Sequence, residues 1–168
     1  MNIGDFVESM KLDKYDFCEF DKNRHYYQAV VKILQKNFDK LSPEERPLHR
    51  ALPVVNKPAS FFIRDKNKWK EECHSMINHE IKYIEEFESE EEQLAMTKFL
   101  DKFGEKIFEK YTELRDSGVK MQDINQKMMR GGTTQDKIDM LDLIVESNAL
   151  ILDTNSTKPE TSLSCSRY

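Results

Sequence analysis

The sequence predicts an all-α protein: an irregular bundle of five or six helices built on one long antiparallel helical hairpin, followed by a disordered C-terminal tail. Three observations support this fold class. Only five Gly and five Pro interrupt the 168 residues. Apolar residues recur with the 3.6-residue period of amphipathic helices. The apolar–polar alternation typical of strands is almost absent, and its nearest case, YDFCEF, is short and isolated.

Two helices are expected in the N-terminal part of the chain, a brief one over residues 3–12 and a longer one over residues 24–41. The longer helix carries two rows of apolar side chains, and the narrower row includes Tyr26 and Ile33. A helix with two apolar rows is predicted to touch two neighbours.

Residues 42–60 form a proline-rich connector that contains four of the five prolines. Ser42 and Glu45 have the spacing of a capping box, and Pro43 suits the first position of a helix. One short helical turn is therefore predicted inside a segment that is otherwise irregular.

The long hairpin is predicted from two helices, over residues 65–87 and 90–116, with a short break at residues 88–89. Ser89, followed three residues later by Glu92, resembles a helix N-cap. The apolar stripes comprise Trp69, Cys73, Met76, Ile77, Ile84 and Phe87 in the first helix, and Met96, Leu100, Phe103, Ile107, Tyr111 and Leu114 in the second.

Two further helices are expected, over residues 120–130 and 135–152. Residues 153–168 are rich in Ser and Thr and poor in apolar residues, which is typical of a disordered tail. We therefore expect one helical domain over residues 1–152, followed by that tail.

The bulk composition argues against several classes of function. A net charge of −5 provides no bulk polycation for nucleic acid or acidic membranes. Three widely spaced cysteines without a CxxC motif fit a reduced compartment. We find no signal peptide, no apolar run long enough to span a bilayer, and no nucleophile elbow or phosphate-binding glycine motif. The prediction is a cytoplasmic or nuclear protein without a cofactor.

The stretch ECHSMINHE, residues 72–80, gathers a cysteine, two histidines and two acids. On a helical wheel His74 and His79 fall on opposite flanks, so they cannot close around one ion, and no metal site is expected. Glu80 falls within the apolar stripe. It could bind an Arg, Lys or Tyr of another helix, lie exposed where the stripe ends, or take part in binding or catalysis.

The leading functional hypothesis is a non-enzymatic protein–protein interaction module, an adaptor or complex subunit. The last helix is apolar almost all round, which indicates either a central position or a surface shared with another molecule. The partner is expected to be a protein, including a second copy of this chain. The residues proposed for partner binding are Tyr26, Ile33, Glu80, Leu143, Ile144 and Ile151.

Two alternatives remain open. The first is a nucleic-acid-associated factor that uses the basic segment RDKNKWK, residues 64–70, together with Lys127 and Arg130. We do not expect nucleic acid as the partner, because the whole chain is acidic. The second is an enzyme with an unrecognised site around Glu80 and His79. We name no catalytic residue.

Overall fold

The computed structural model describes residues 1–22, 25–51, 55–83, 93–119 and 134–146. The fold is mixed, with helices and a three-stranded antiparallel sheet, so the predicted all-α helical bundle is wrong. The elements in chain order are α1 (Ile3–Ser9), α2 (Glu19–Lys22), α3 (Tyr26–Asp39), β1 (Leu48–Arg50), β2 (Ser60–Asp65), β3 (Lys68–Cys73), α4 (His74–Lys82), α5 (Ala95–Asp116) and α6 (Thr134–Glu146).

The strands lie in the order β1-β2-β3, with β2 at the centre. His49 of β1 is paired with Phe62, and Arg64 is paired with Trp69 of β3. The turn between β2 and β3 places Lys66 and Asn67 at φ angles of 51° and 64°. Left-handed conformations at both central residues are those of a tight hairpin turn, and asparagine tolerates them well. This turn fixes the register of the hairpin.

The predicted helix over residues 65–87 begins too early, because residues 68–73 form β3 and α4 starts only at His74. Trp69 and Cys73 are four residues apart. That spacing puts two side chains on one face of a helix and equally on one face of a strand. Residues 68–73 adopt the strand conformation because they pair with the aromatic and β-branched residues of β2. The long helical hairpin is therefore wrong as well, since α4 has only nine residues.

Several other predictions agree with the structure. The two N-terminal helices are present as α1 and α3, and α5 ends at Asp116 as expected. Ser42 and Glu45 form the predicted capping box on a short 3-10 turn, Pro43–Glu45. The connector nevertheless contains β1, which was predicted as irregular chain. The predicted break at 88–89, the helix at 120–130 and the tail at 153–168 lie outside the described residues.

The core lies between the helices and the inner face of the sheet. Helix α3 is packed on several sides, and α6 is one of its principal neighbours. Leu48, Phe61 and Ile63 provide the sheet's contribution to the core. Among the described residues, no helix is long and apolar enough to cross a membrane.

The tip of the β2–β3 hairpin is attached to the N-terminus of the chain. Asn2 and Asn67 exchange two hydrogen bonds, of 3.0 Å between the side chains and 2.9 Å from the Asn67 main-chain N–H to the Asn2 side chain. On the inner face, Asp65 forms ion pairs with Lys70 at 3.2 Å and Lys98 at 3.5 Å. These contacts position the hairpin against α1 and α5.

Candidate functional site

The residues predicted to bind a partner do not form one exposed surface in the part of the chain that the structure describes. Ile33 and Ile144 are fully buried in the core of this chain, and Leu143 is partly buried against it. Tyr26 begins α3, and Ile151 lies outside the described residues. Ile33 and Ile144 therefore stabilise the fold and are not available to a partner in this conformation.

Glu80, the acid in the predicted apolar stripe, is buried near the end of α4. Its Oε1 atom accepts a hydrogen bond of 2.7 Å from the main-chain N–H of Leu94, the residue that caps α5. The partner belongs to this chain. It is a main-chain group, whereas the sequence suggests an Arg, Lys or Tyr side chain.

A second buried acid, Glu72, binds the same helix terminus. Its two carboxylate oxygens accept hydrogen bonds of 2.8 Å each from the main-chain N–H groups of Ala95 and Met96. N–H groups in the first turn of a helix have no partner within the helix, and the helix dipole favours negative charge there. Glu72 and Glu80 thus fix the N-terminus of α5, which is a structural role.

The charge state of Glu72 reflects two opposing effects. Burial raises the pKa of the Glu72 carboxyl above its ordinary value, and the nearby charge of Glu80 adds to the increase. The N–H groups of Met96 and Ala95 and the charge of Lys70 lower the pKa, but by less than burial raises it.

The two histidines of ECHSMINHE point to different neighbours. His74 Nε2 lies 2.6 Å from Asp142 Oδ1 of α6, whereas His79 is exposed and its ring contacts Tyr83. His79 is exposed and Glu80 buried, so the structure does not bring this pair together as one site. Within the described ranges, no group of three His, Cys, Asp or Glu residues is placed to hold a metal ion.

The most unusual surface of the described structure is the side of the sheet that faces away from the core. We call His49, Phe62, Arg64 and Trp69 the outer sheet face, because paired residues of an antiparallel sheet project to the same side. The rings of His49 and Trp69 are stacked, with centroids 5.3 Å apart and planes inclined by 24°. His49 and Phe62 are buried and form the floor, and Arg64 and Trp69 are partly exposed at the rim.

His49 is an unusual floor residue because it is polar and only 2% exposed. Neither ring nitrogen has a hydrogen bond of good geometry to any part of the chain that the structure describes. Burial, and secondly the positive charge of Arg46, lowers the pKa of His49 to about 4, against a smaller opposing effect of a main-chain hydrogen bond with Arg46, so the ring is neutral at pH 7. The buried Nε of Arg64 likewise lacks an acceptor among the described residues.

Positive charge lies at the hairpin-tip end of this face. Lys66 is exposed at the hairpin tip, close to Arg64, whereas Lys68 is paired with Asp65 and projects to the inner side. The nearest acid in sequence, Asp65, projects to the inner side, where it is bound by two lysines. Glu71 shares the outer side, farther from the tip, and accepts a hydrogen bond of 3.3 Å from Ser60. The tip end of the face is therefore cationic although the whole chain is acidic.

Sequence reasoning misplaces Trp69 and does not identify His49 as part of a site. It assigns Trp69 to the apolar stripe of a helix, whereas the indole is partly exposed and outside the main core cluster. One signal could have revealed the strand. Asn67 and the charged residues beside it have the composition of a turn, directly after the strand-like run SFFI.

The protein is therefore a small mixed α/β protein with an aromatic and cationic surface on one side of a three-stranded sheet. Comparison of the chain with models of protein families, with curated proteins and with solved structures found no match.

Proposed function

We propose that this protein is a non-enzymatic binding module, an adaptor or complex subunit, and that the outer sheet face is its binding surface. The observation that carries this proposal is the stacked pair of Trp69 and His49. The pair combines a partly exposed indole with a buried imidazole whose ring nitrogens have no hydrogen bond of good geometry among the described residues.

The energetics of the face support a role in binding. A buried polar atom without a hydrogen bond costs about 1–3 kcal/mol, and the buried Nε of Arg64 has no acceptor among the described residues. Tryptophan and arginine are also enriched among the residues that contribute most to binding surfaces. A ligand that covers Trp69 and supplies an acceptor to Arg64 would recover part of this cost.

The ionisable groups support binding in preference to catalysis. The buried carboxylates Glu72 and Glu80 are bound by the N-terminus of α5. His49, the polar residue on the floor, lacks a carboxylate or nucleophile partner among the described residues. General acid–base catalysis by His49 would need a ring nitrogen within hydrogen-bond reach of a substrate proton, and the ring is only 2% exposed.

The proposal is tested by comparing what the wild-type protein and the variant Arg64→Gln/Trp69→Leu capture from cells of the source organism. Both bound proteins and bound nucleic acids are identified, and each variant is first shown by circular dichroism to be folded. We expect the double variant to capture at least 10-fold less of the specifically bound material than the wild type.

The matched control is Lys102→Gln, which removes one positive charge from an exposed position on α5, at a pocket shared with Asp65 on the opposite side of the sheet. This control should capture the same material as the wild type. Unchanged capture by the folded double variant would show that the outer sheet face is not the binding surface.

A further inference from the structure

We infer that the ligand of the outer sheet face is a single-stranded nucleic acid, with a base stacked on Trp69 and the adjoining phosphates bound by Arg64 and Lys66. This inference rests on the proposed function, because it requires the face to be a binding surface. It differs from the expectation that the acidic net charge disfavours nucleic acid. The position of Arg64 beside Trp69 on one face of the hairpin was not apparent from the sequence.

The first argument concerns the stacking platform. Trp69 lies at the rim with one side backed by His49 at a centroid distance of 5.3 Å, and the indole is partly exposed. Aromatic side chains on sheets bind unstacked bases, and each base–aromatic stack contributes about 1–3 kcal/mol. A base in a regular duplex is already stacked on its neighbours, so this contact favours a single strand.

The second argument concerns the distribution of charge. Arg64 and Lys66 lie within three residues of one hairpin, and Asp65 between them is bound on the opposite side by Lys70 and Lys98. Charges more than about 8–10 Å away are largely screened at physiological salt. A phosphate near the hairpin tip therefore experiences this local cluster more strongly than the net charge of −5.

The third argument concerns unpaired donors. The Nε of Arg64 is buried and lacks an acceptor among the described residues. A phosphate offers acceptors in the geometry that a guanidinium matches with two parallel hydrogen bonds.

An acidic peptide is the competing ligand. Its carboxylates would satisfy Arg64 and Lys66, but they would leave the indole of Trp69 without a partner ring. The combination of an aromatic platform with cations therefore favours the nucleic acid, and the peptide becomes an arm of the test.

The test uses three probes: a uridine 12-mer, a duplex of the same length and a glutamate 12-mer. Trp69 is the only tryptophan in the chain, so its fluorescence reports directly on the proposed stack. We expect the single strand to quench this fluorescence and to bind at least 10-fold more tightly than the duplex or the peptide.

The variant Lys66→Gln changes only an exposed residue at the hairpin tip. It should weaken binding of a labelled oligonucleotide at all salt concentrations. It should also reduce the salt slope by about 0.7 for each phosphate that the variant no longer neutralises. The control Lys102→Gln should leave both affinity and slope unchanged.

The outcomes separate the inference from the proposed function. Tighter binding of the peptide or the duplex, or single-strand binding that leaves Trp69 fluorescence unchanged, would overturn the nucleic-acid inference and leave the proposed function standing. If none of the three probes binds and cellular capture still depends on Arg64 and Trp69, the nucleic-acid inference is likewise overturned and the proposed function stands. Cellular capture that is independent of both residues would overturn the two together.

Discussion

The Glu80 carboxylate accepts a hydrogen bond of 2.7 Å from the main-chain N–H of Leu94, which joins the last turn of α4 to the first turn of α5. Glu72 extends this connection to β3, because its oxygens bind the N–H groups of Ala95 and Met96. The strand before α4, α4 itself and the start of α5 are thus held together by two carboxylates.

Replacing Glu80 by alanine should destabilise the fold by about 1–3 kcal/mol, because it leaves the N–H of Leu94 without its acceptor. Glu80→Gln should cost less, since the amide oxygen still accepts the hydrogen bond while the favourable charge at the helix terminus is lost. The free energy of unfolding in urea, followed by circular dichroism, measures both effects. The control is Glu105→Ala at an exposed position of α5, and equal effects at the two sites would contradict the assigned role.

The raised pKa of Glu72 predicts a specific pH dependence. Just above the ordinary value of 4.5, the folded protein keeps a proton on Glu72 that the unfolded chain releases. The contribution of Glu72 to stability therefore falls as pH rises through this window, and it is constant above the folded pKa. Subtracting the unfolding free energies of Glu72→Gln from those of the wild type should isolate this slope. If the stability of the wild type relative to Glu72→Gln instead grows with pH, hydrogen bonding lowers the pKa of Glu72 by more than burial raises it.

His49 should produce the opposite slope. Its pKa is lowered from 6.5 to about 4, so the unfolded chain takes up a proton at pH values where the folded protein does not. Stability should fall as pH decreases from about 6.5 to about 4, and this contribution should be constant above 6.5. His49→Phe keeps an aromatic ring against Trp69 and should flatten the profile. Exposed His79, replaced by Gln, serves as the comparison, and an unchanged profile in His49→Phe would contradict a buried neutral imidazole.

Two glycines provide a matched test of backbone conformation. A Cβ atom would meet nothing within 4 Å at either Gly4 or Gly118, but only Gly118 has a positive φ, of 91°. Gly4 lies in α1, where Gly→Ala should stabilise by about 0.4–1 kcal/mol. Gly118 follows the end of α5, where alanine should destabilise by about 1–2 kcal/mol because the left-handed region is unfavourable for L-residues. Thermal unfolding of the two variants should shift in opposite directions, and shifts of the same sign would contradict this assignment.

Much of the helical part of the fold could be predicted because its determinants are local. The apolar rows of α3 and α5 repeat with the helical period over several turns, and Ser42 and Glu45 form a cap within four residues of sequence. The apolar residues of the α5 stripe are buried except Leu114, which is partly buried against the core. Local patterns of this length leave little freedom for another assignment.

The sheet and the candidate site depend on contacts between distant residues. Trp69 and Cys73 satisfy the helical and the strand period equally, so only their pairing with β2 determines that they belong to a strand. His49 and Trp69 are twenty residues apart, and the two hairpin registers bring their rings together.

The sequence by itself determined where most helices lie, which residues form their buried stripes and that Glu80 needs a partner. Only the tertiary structure decided that the partner is the N–H of Leu94, that Ile33 and Ile144 belong to the core, and that Trp69 faces outward beside His49. The physical reason is that periodicity specifies which side of an element is apolar. Strand pairing and helix-terminus contacts specify what that side meets, and they join residues that are far apart in the chain.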